Sequence, residues 1–230
     1  MVLFLKRITN SLGFPLEFGR LIKFELQLFF VRFFFRFSPK QLYRIYRFNR
    51  QNNLFINFGC GVSPFEGWIN IDGIPNHHAD LFLDIRRPLP FRTQSARFIF
   101  TEHVIEHLRY DEAGYFLSEC YRIMKLGGAI RIITPDLKKF VRAYIENDKQ
   151  FFPIVSPTLS DPVGALNLMF RQGGTHHYIY DFDELNRILL QSGFKKVFQS
   201  SFQNSVWPEL NRDSGDKQRI TESLYVEAVK

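Results

Sequence analysis

Three groups of residues have the types and spacing to do chemistry. Gly59-Cys60-Gly61 follows an apolar run, and glycines there let a ligand approach the backbone with no Cβ in the way. Asp72 and Asp84 each close a later apolar run. A carboxylate at the end of a second strand can accept hydrogen bonds from both ribose hydroxyls of an adenosine. One after a third strand can accept from an exocyclic adenine amine. The third group is rich in imidazole: Glu102-His103, then Glu106-His107, and later His176-His177. An imidazole titrates near neutral pH, so it suits removal of a proton from an attacking hydroxyl. His103, Glu106 and His107 stand at i, i+3 and i+4, which a helix places on one face. Such a set can converge on a metal ion, with His176 or His177 as a fourth ligand. It can equally position the turn after a strand or orient a substrate, and the spacing leaves these readings open.

The elements that must carry these residues are short and regularly spaced. Apolar runs at 54–58, 68–72, 81–84 and 97–101 read as buried strands. A helix is predicted over 110–124, broken by Gly127-Gly128 before a strand at 129–134. Helices follow at 136–147, near 163–170 inside a Pro- and Gly-containing insertion, and at 183–191, where Ser192-Gly193 stops the last. Residues 196–201 and 222–229 alternate as strands. The loop 202–219 between them, with Trp207-Pro208, is expected to shape a substrate site. Strands alternating with helices predict a parallel, doubly wound sheet with ligands at the carboxyl ends of its strands. One connection is unusual. Residues 62–67 alone separate Gly61 from Trp68, too few for a normal crossover helix, so that helix is a single turn or absent.

Together these motifs resemble the class I S-adenosylmethionine-dependent methyltransferases, from about residue 54 to residue 230. The resemblance lies in Asn57-Phe-Gly-Cys-Gly61, Gly67-Trp-Ile-Asn-Ile-Asp72, Asp84-Ile-Arg-Arg-Pro-Leu-Pro-Phe91, Glu102-His-Val-Ile-Glu-His-Leu108, Arg122-Ile-Met-Lys-Leu-Gly-Gly128 and Ile132-Ile-Thr-Pro-Asp136. It is similar in particular to a bacterial branch often found near genes for surface-polysaccharide synthesis. The resemblance implies an α/β, Rossmann-like, mostly parallel seven-stranded sheet whose last strand is antiparallel. It implies S-adenosylmethionine as cofactor, held by the loop Phe58-Gly59-Cys60-Gly61, by Asp72 at the ribose, and by Asp84 and Ile85 at the adenine. Glu102 and His103 would face the reacting methyl group, with His103, His176 and His177 as catalytic candidates. A similar His/Glu face in small-RNA 2′-O-methyltransferases and ubiquinone-pathway O-methyltransferases carries a divalent ion, while other members use Glu-His-Leu without metal. The third glycine of the usual loop is missing, since Val62-Ser63-Pro64 stand there. A fold of this kind can also serve NAD, but Asp84 before Pro-Leu-Pro and the Leu-Gly-Gly hairpin fit methyltransferases better. The implied activity is methyl transfer to an oxygen or nitrogen nucleophile of a small molecule or glycan, such as a sugar or cell-envelope intermediate. The alternative is a catalytically silent module that keeps the fold and is held at a membrane or on a partner enzyme.

Composition sets the frame for these readings. At 45% hydrophobic and 23% charged, the 230 residues exclude a disordered, collagenous or disulfide-scaffold chain. Two cysteines, Cys60 and Cys120, indicate a reducing compartment. The net charge of +7 is concentrated in residues 1–50, which hold ten Lys/Arg against Glu17 and Glu25 and eleven of the 27 phenylalanines. Lys23, Glu25, Arg32 and Arg36 interrupt the Phe-rich run too often for a transmembrane helix, and no cleavage site follows for a signal peptide. Ser38-Pro39 predicts a helix start with Ser as cap. Residues 1–50 thus form a basic, Phe-rich helical extension to a domain at 51–230. It either packs on the domain with a solvated basic face or meets anionic lipid as an interfacial segment. Nucleic acid is not an expected partner, since no zinc-finger spacing or RNA-recognition signature is present. The expected location is cytoplasmic, or peripheral to the inner face of the membrane.

Overall fold

The computed structural model of the chain describes residues 16–35, 37–159 and 161–230. Its strands are β1 (Leu54–Phe58), β2 (Ile69–Asp72), β3 (Leu81–Phe82), β4 (Ala96–Glu102), β5 (Met124–Pro135), β6 (Lys196–Gln199) and β7 (Ser223–Val229). They form one seven-stranded sheet in the order β3-β2-β1-β4-β5-β7-β6. β1 to β5 run parallel, and β7 is antiparallel to both β5 and β6. This is the Rossmann-like sheet expected. The winding reverses between β1 and β4, which opens a crevice beyond the carboxyl ends of these strands.

The two faces of the sheet are covered differently. Leu54, Ile56 and Phe58 of β1 point to one face, under α3 (Tyr110–Ile123) and α7 (Phe182–Gln191), in a core with Phe116, Leu117, Leu185 and Ile188. The opposite face lacks a helix between β1 and β2, as the short spacing predicts. Aromatic rings take its place: Phe65 meets Phe100 with ring centroids 5.0 Å apart, and Trp68 meets Phe55 at 5.3 Å. Each such ring can bury roughly 150–250 Å², enough for a tight turn to cover strands that usually need a helix. Asn70 fixes the turn, accepting from Phe65 N (2.8 Å) and donating to Phe65 O (3.0 Å).

The loop after β6 corrects an expectation. Phe202, Trp207 and Leu210 lie over this aromatic face and line neither of the two cavities described below. The fully buried Arg131 of β5 holds the loop in place: its guanidinium donates to Asp213 (2.6 Å) and Glu227 (2.8 Å) and reaches Ser201 O (2.8 Å). The end of the segment, α8 (Lys217–Glu222), does reach one of these cavities, through Gln218 and Glu222. The insertion packs as a third cluster of α4 (Leu137–Ile145), α5 (Phe151–Val155) and α6 (Pro162–Arg171) around Phe140, Phe152 and Met169. The sequence pattern does not predict α5.

Of the expected extension, residues 1–15 and 36 lie outside the described residues. α1 (Leu16–Phe30) continues as a π-helical turn (Val31–Phe35) before α2 (Pro39–Asn49). Ser38 stands at the cap position, but its side chain makes no capping bond. α2 covers the edge of the sheet: Phe82 N donates to Gln41 Oε1 (3.3 Å), Arg44 to Asp80 O (2.5 Å), and Asn49 Nδ2 to Pro90 O (2.7 Å). An edge strand covered in this way is not open to further pairing. α1 buries Leu28, the π turn buries Val31, and Glu25 and Arg32 join Arg86 and Asp84 of the domain in one ion network.

Candidate functional site

A cavity of about 350 Å³ opens at the carboxyl ends of β1, β2 and β4. Gly59, Asp72, Asp84, Ile85 and His103 line it from the sheet side, His107 and His177 from the loops beyond, and Leu21, Phe24 and Leu28 of α1 from above. Gly59 has φ +73°, and a Cβ there would collide with the Val104 side chain. The glycine is therefore required by both backbone conformation and space. Asp72 is held ready, with Oδ2 accepting from Gly61 N (2.8 Å) and Oδ1 from Ile74 N (2.8 Å). A carboxylate has about four lone-pair sites, so each oxygen keeps capacity for a further donor at the cavity.

Several expected cofactor contacts fall elsewhere. Phe58 is fully buried against Phe116 on the core side, so its side chain cannot meet a ligand. Cys60 is buried too, and burial, reinforced by the Asp72 and Asp80 carboxylates, pushes its thiol up to about 12. Gly61 (φ +51°) serves through its N–H on Asp72 and does not line the cavity. Glu102 turns away and accepts from Ser214 N (3.2 Å), and burial chiefly raises its pKa. Asp84 lines the cavity, but Oδ1 accepts from Arg86 N (3.1 Å) and Arg86 Nε (2.9 Å) while Oδ2 meets Arg86 Nη2 (3.2 Å) and Arg32 Nε (3.2 Å), which fills its four lone-pair sites. An adenine amine could use this carboxylate only by displacing an arginine. The sequence does not foretell that lock, because Arg32 and Glu25 reach Asp84 and Arg86 across more than fifty residues of chain.

His103 occupies the centre of the site. It closes β4 in the left-handed region (φ +51°), a conformation uncommon for residues other than glycine but several-fold enriched in histidine. Its Nδ1 lies 3.2 Å from Glu106 Oε1, and its Nε2 lies 2.9 Å from Ser223 Oγ. The approach to Glu106 is off the ideal angle, leaving Oε1 without a well-aligned hydrogen bond. Glu106 is fully buried, with Oε2 accepting from Thr134 Oγ1 (3.1 Å). Burial would raise its pKa, yet the contact and charge of His103, with His107, carry it below the usual carboxylate range. The group is a carboxylate, an imidazole and a hydroxyl in line. Ser223, on the strand paired with β5, carries no motif that the sequence could have shown.

His103 also lines a second, polar cavity of about 90 Å³ with Ser156, Gln172, His176, Gln218 and Glu222. Burial lowers the pKa of His176, raises that of Glu222, and leaves Ser156 Oγ unpartnered. The expected trio of His103, Glu106 and His107 does not converge. Residues 105–107 form a single 3-10 turn, and the group with metal-ligand spacing among the described residues is Glu106, His107 and His176, whose ligand atoms lie within 4.8 Å of one another. His107 Nδ1 meets Thr175 O (2.9 Å), and His176 Nδ1 meets Met169 O (2.6 Å). A carbonyl at Nδ1 fixes the proton there and leaves Nε2 as acceptor. His177 lies in the wall of the first cavity, its backbone N–H donating to Glu106 O (2.8 Å). The three histidine candidates are thus divided: His177 on the first cavity, His176 on the second, and His103 on both.

No protein-family model matches the sequence, and no curated protein matches it. Among solved structures it is similar to a SAM-dependent methyltransferase of Archaeoglobus fulgidus, at 20% identity and TM-score 0.45 over 88% of this chain and 98% of that one. A SAM-dependent methyltransferase of Thermotoga maritima gives 16% identity and TM-score 0.48 over 90% and 99%. Phosphoethanolamine N-methyltransferase 2 of Haemonchus contortus, in complex with S-adenosyl-L-methionine, gives 12% and 0.43 over 84% and 52%. At such identities and TM-scores, these likenesses assign neither activity nor substrate to the chain.

Proposed function

We propose that the chain is an S-adenosylmethionine-dependent methyltransferase acting on an oxygen or nitrogen nucleophile of a small polar or glycan acceptor. The observation that carries this reading is the arrangement of two cavities meeting at one oriented imidazole. The larger lies at the sheet's switch point and is of a size suited to a cofactor. Gly59 leaves room at its floor, and Asp72 offers spare acceptor capacity to a ribose. Bound there, the cofactor would supply an electrophilic methyl group. The rest falls to the chain's own residues. The smaller cavity would hold the acceptor, its polar lining suiting a hydroxylated or amine-bearing group. His103 Nε2 would take the acceptor's proton, competing with Ser223 Oγ, and the Glu106 carboxylate would stabilise the resulting imidazolium. A sugar or cell-envelope intermediate remains the first acceptor to try.

One observation favours the silent module instead: the Arg32 and Arg86 side chains already engage Asp84. Transfer of tritiated methyl from the cofactor into fractionated cell extract tests the choice. Label incorporated by the parent and lost in His103→Gln supports catalysis, whereas cofactor binding without transfer to any fraction would leave the silent module. Repeating the assay with EDTA decides the role of Glu106, His107 and His176. Unchanged transfer is expected, since Glu106 already faces His103 and Thr134. Loss restored by Mg²⁺ would make the three residues metal ligands.

A further inference from the structure

We propose that the outer face of the amino-terminal segment, from Phe29 through α2, is a docking surface for an anionic lipid bilayer. α1 is apolar on two sides. Leu21, Phe24 and Leu28 form one wall of the larger cavity. The other side and the π turn expose Phe29, Phe30, Phe33 and Phe34, the last two at 58% and 63% of their surface. These rings pair among themselves, Phe29 with Phe33 (4.5 Å between centroids) and Phe30 with Phe34 (5.4 Å). Phe37 follows, 67% exposed. An exposed aromatic patch of this kind marks an interaction site.

α2 and the local charge identify the partner. Tyr43, Tyr46, Arg47 and Arg50 stand at i, i+3, i+4 and i+7, so they share one face, and all four are exposed. Ile45 and Phe48 turn the other way and pack on the core. The only acidic side chain described between Phe18 and Arg50 is Glu25, which is half-buried and paired with Arg86 and Arg32. The exposed charges of that stretch, among them Lys40, Arg47 and Arg50, are therefore all positive. Tyrosine, arginine and lysine each combine an apolar body with a polar tip, which suits the depth of lipid headgroups. Phenylalanine suits the layer beneath. Uniform positive charge complements an anionic leaflet, whereas a second copy would set like charges against each other. No helix among the described residues is long and apolar enough to cross a membrane, so the contact is interfacial.

The test uses the full chain and sedimentation with vesicles of phosphatidylcholine alone or mixed with phosphatidylglycerol. The parent should bind the phosphatidylglycerol vesicles and release partly on raising salt from about 0.1 M to about 1 M, where the Debye length falls from about 10 Å to about 3 Å. Each basic residue near an anionic surface is worth about fivefold in binding. Lys40→Glu/Arg47→Glu should therefore bind at least about tenfold more weakly, and Phe33→Ser/Phe34→Ser should lose the salt-resistant part. The charge variant keeps every apolar contact, so it reads the surface even where the serine variant folds poorly. A parent that ignores phosphatidylglycerol, binds neutral vesicles equally well, or is matched by the charge variant would overturn the proposal. So would a parent dimer that Phe33→Ser/Phe34→Ser converts to monomer without vesicle binding, which would give the face to a second copy.

Discussion

At the scale of single residues, the site turns on how His103 is held. Glu106 approaches one ring nitrogen and Ser223 the other, with the backbone in a left-handed conformation that fixes the ring between two cavities. Replacing Glu106 by Gln keeps a polar group but removes the charge that stabilises an imidazolium. General-base contributions run to about 10²–10⁴ in rate, so Glu106→Gln should lower kcat at least about tenfold while leaving the affinity for S-adenosylhomocysteine unchanged. The same variant has a pH signature. The folded-state pKa of Glu106 lies below its ordinary 4.5. Its ionised form therefore stabilises the fold above that pH, and the benefit is lost as pH falls through the lower value. The parent's advantage over Glu106→Gln in thermal midpoint should be present at neutral pH and vanish in acid. Equal kcat, or an advantage that grows in acid, would remove Glu106 from this role. Gly59, Asp72 and His103 are legible in the sequence because each ends an apolar run. Ser223, Arg32 and Glu25 are not, because tertiary structure alone brings them to the site.

At the scale of elements, the strands follow from short apolar runs and turn residues, and the missing crossover helix follows from the spacing between Gly61 and Trp68. What replaces that helix does not. Phe65, Trp68, Trp207 and Leu210 come from two segments far apart in sequence, and no local period marks them as one layer. Arg131 completes that layer, and in the sequence it reads as an ordinary charge inside a strand. Removing one member of a buried ion group leaves the others unpaired, at a cost of about 3–5 kcal/mol. Arg131→Met strands both Asp213 and Glu227 and should destabilise the protein by about that amount. Chemical denaturation would show it as a lower midpoint with an unchanged slope. A midpoint equal to the parent's would mean that the loop after β6 is held by its aromatic contacts alone.

At the scale of the whole molecule, the parallel, doubly wound sheet and a ligand site at the carboxyl ends of its strands are the parts most legible in the sequence, whereas the strand order is seen only in the structure. The division at residue 50 is less clean in the structure. α1 supplies a cavity wall, and its Arg32 reaches Asp84, so the basic amino-terminal fifth takes part in the site that the rest of the chain builds. Composition reveals the charge and the phenylalanines of that segment but not where they pack. The central claim is that the larger cavity binds an adenosine-bearing cofactor with Asp72 at its ribose, and calorimetry with S-adenosylhomocysteine tests it most directly. The parent should bind. Asp72→Ala should bind at least about tenfold more weakly, because hydrogen bonds to a charged group are worth about 1.5–3 kcal/mol each. No binding heat from the parent, or equal affinity in parent and variant, would contradict the claim.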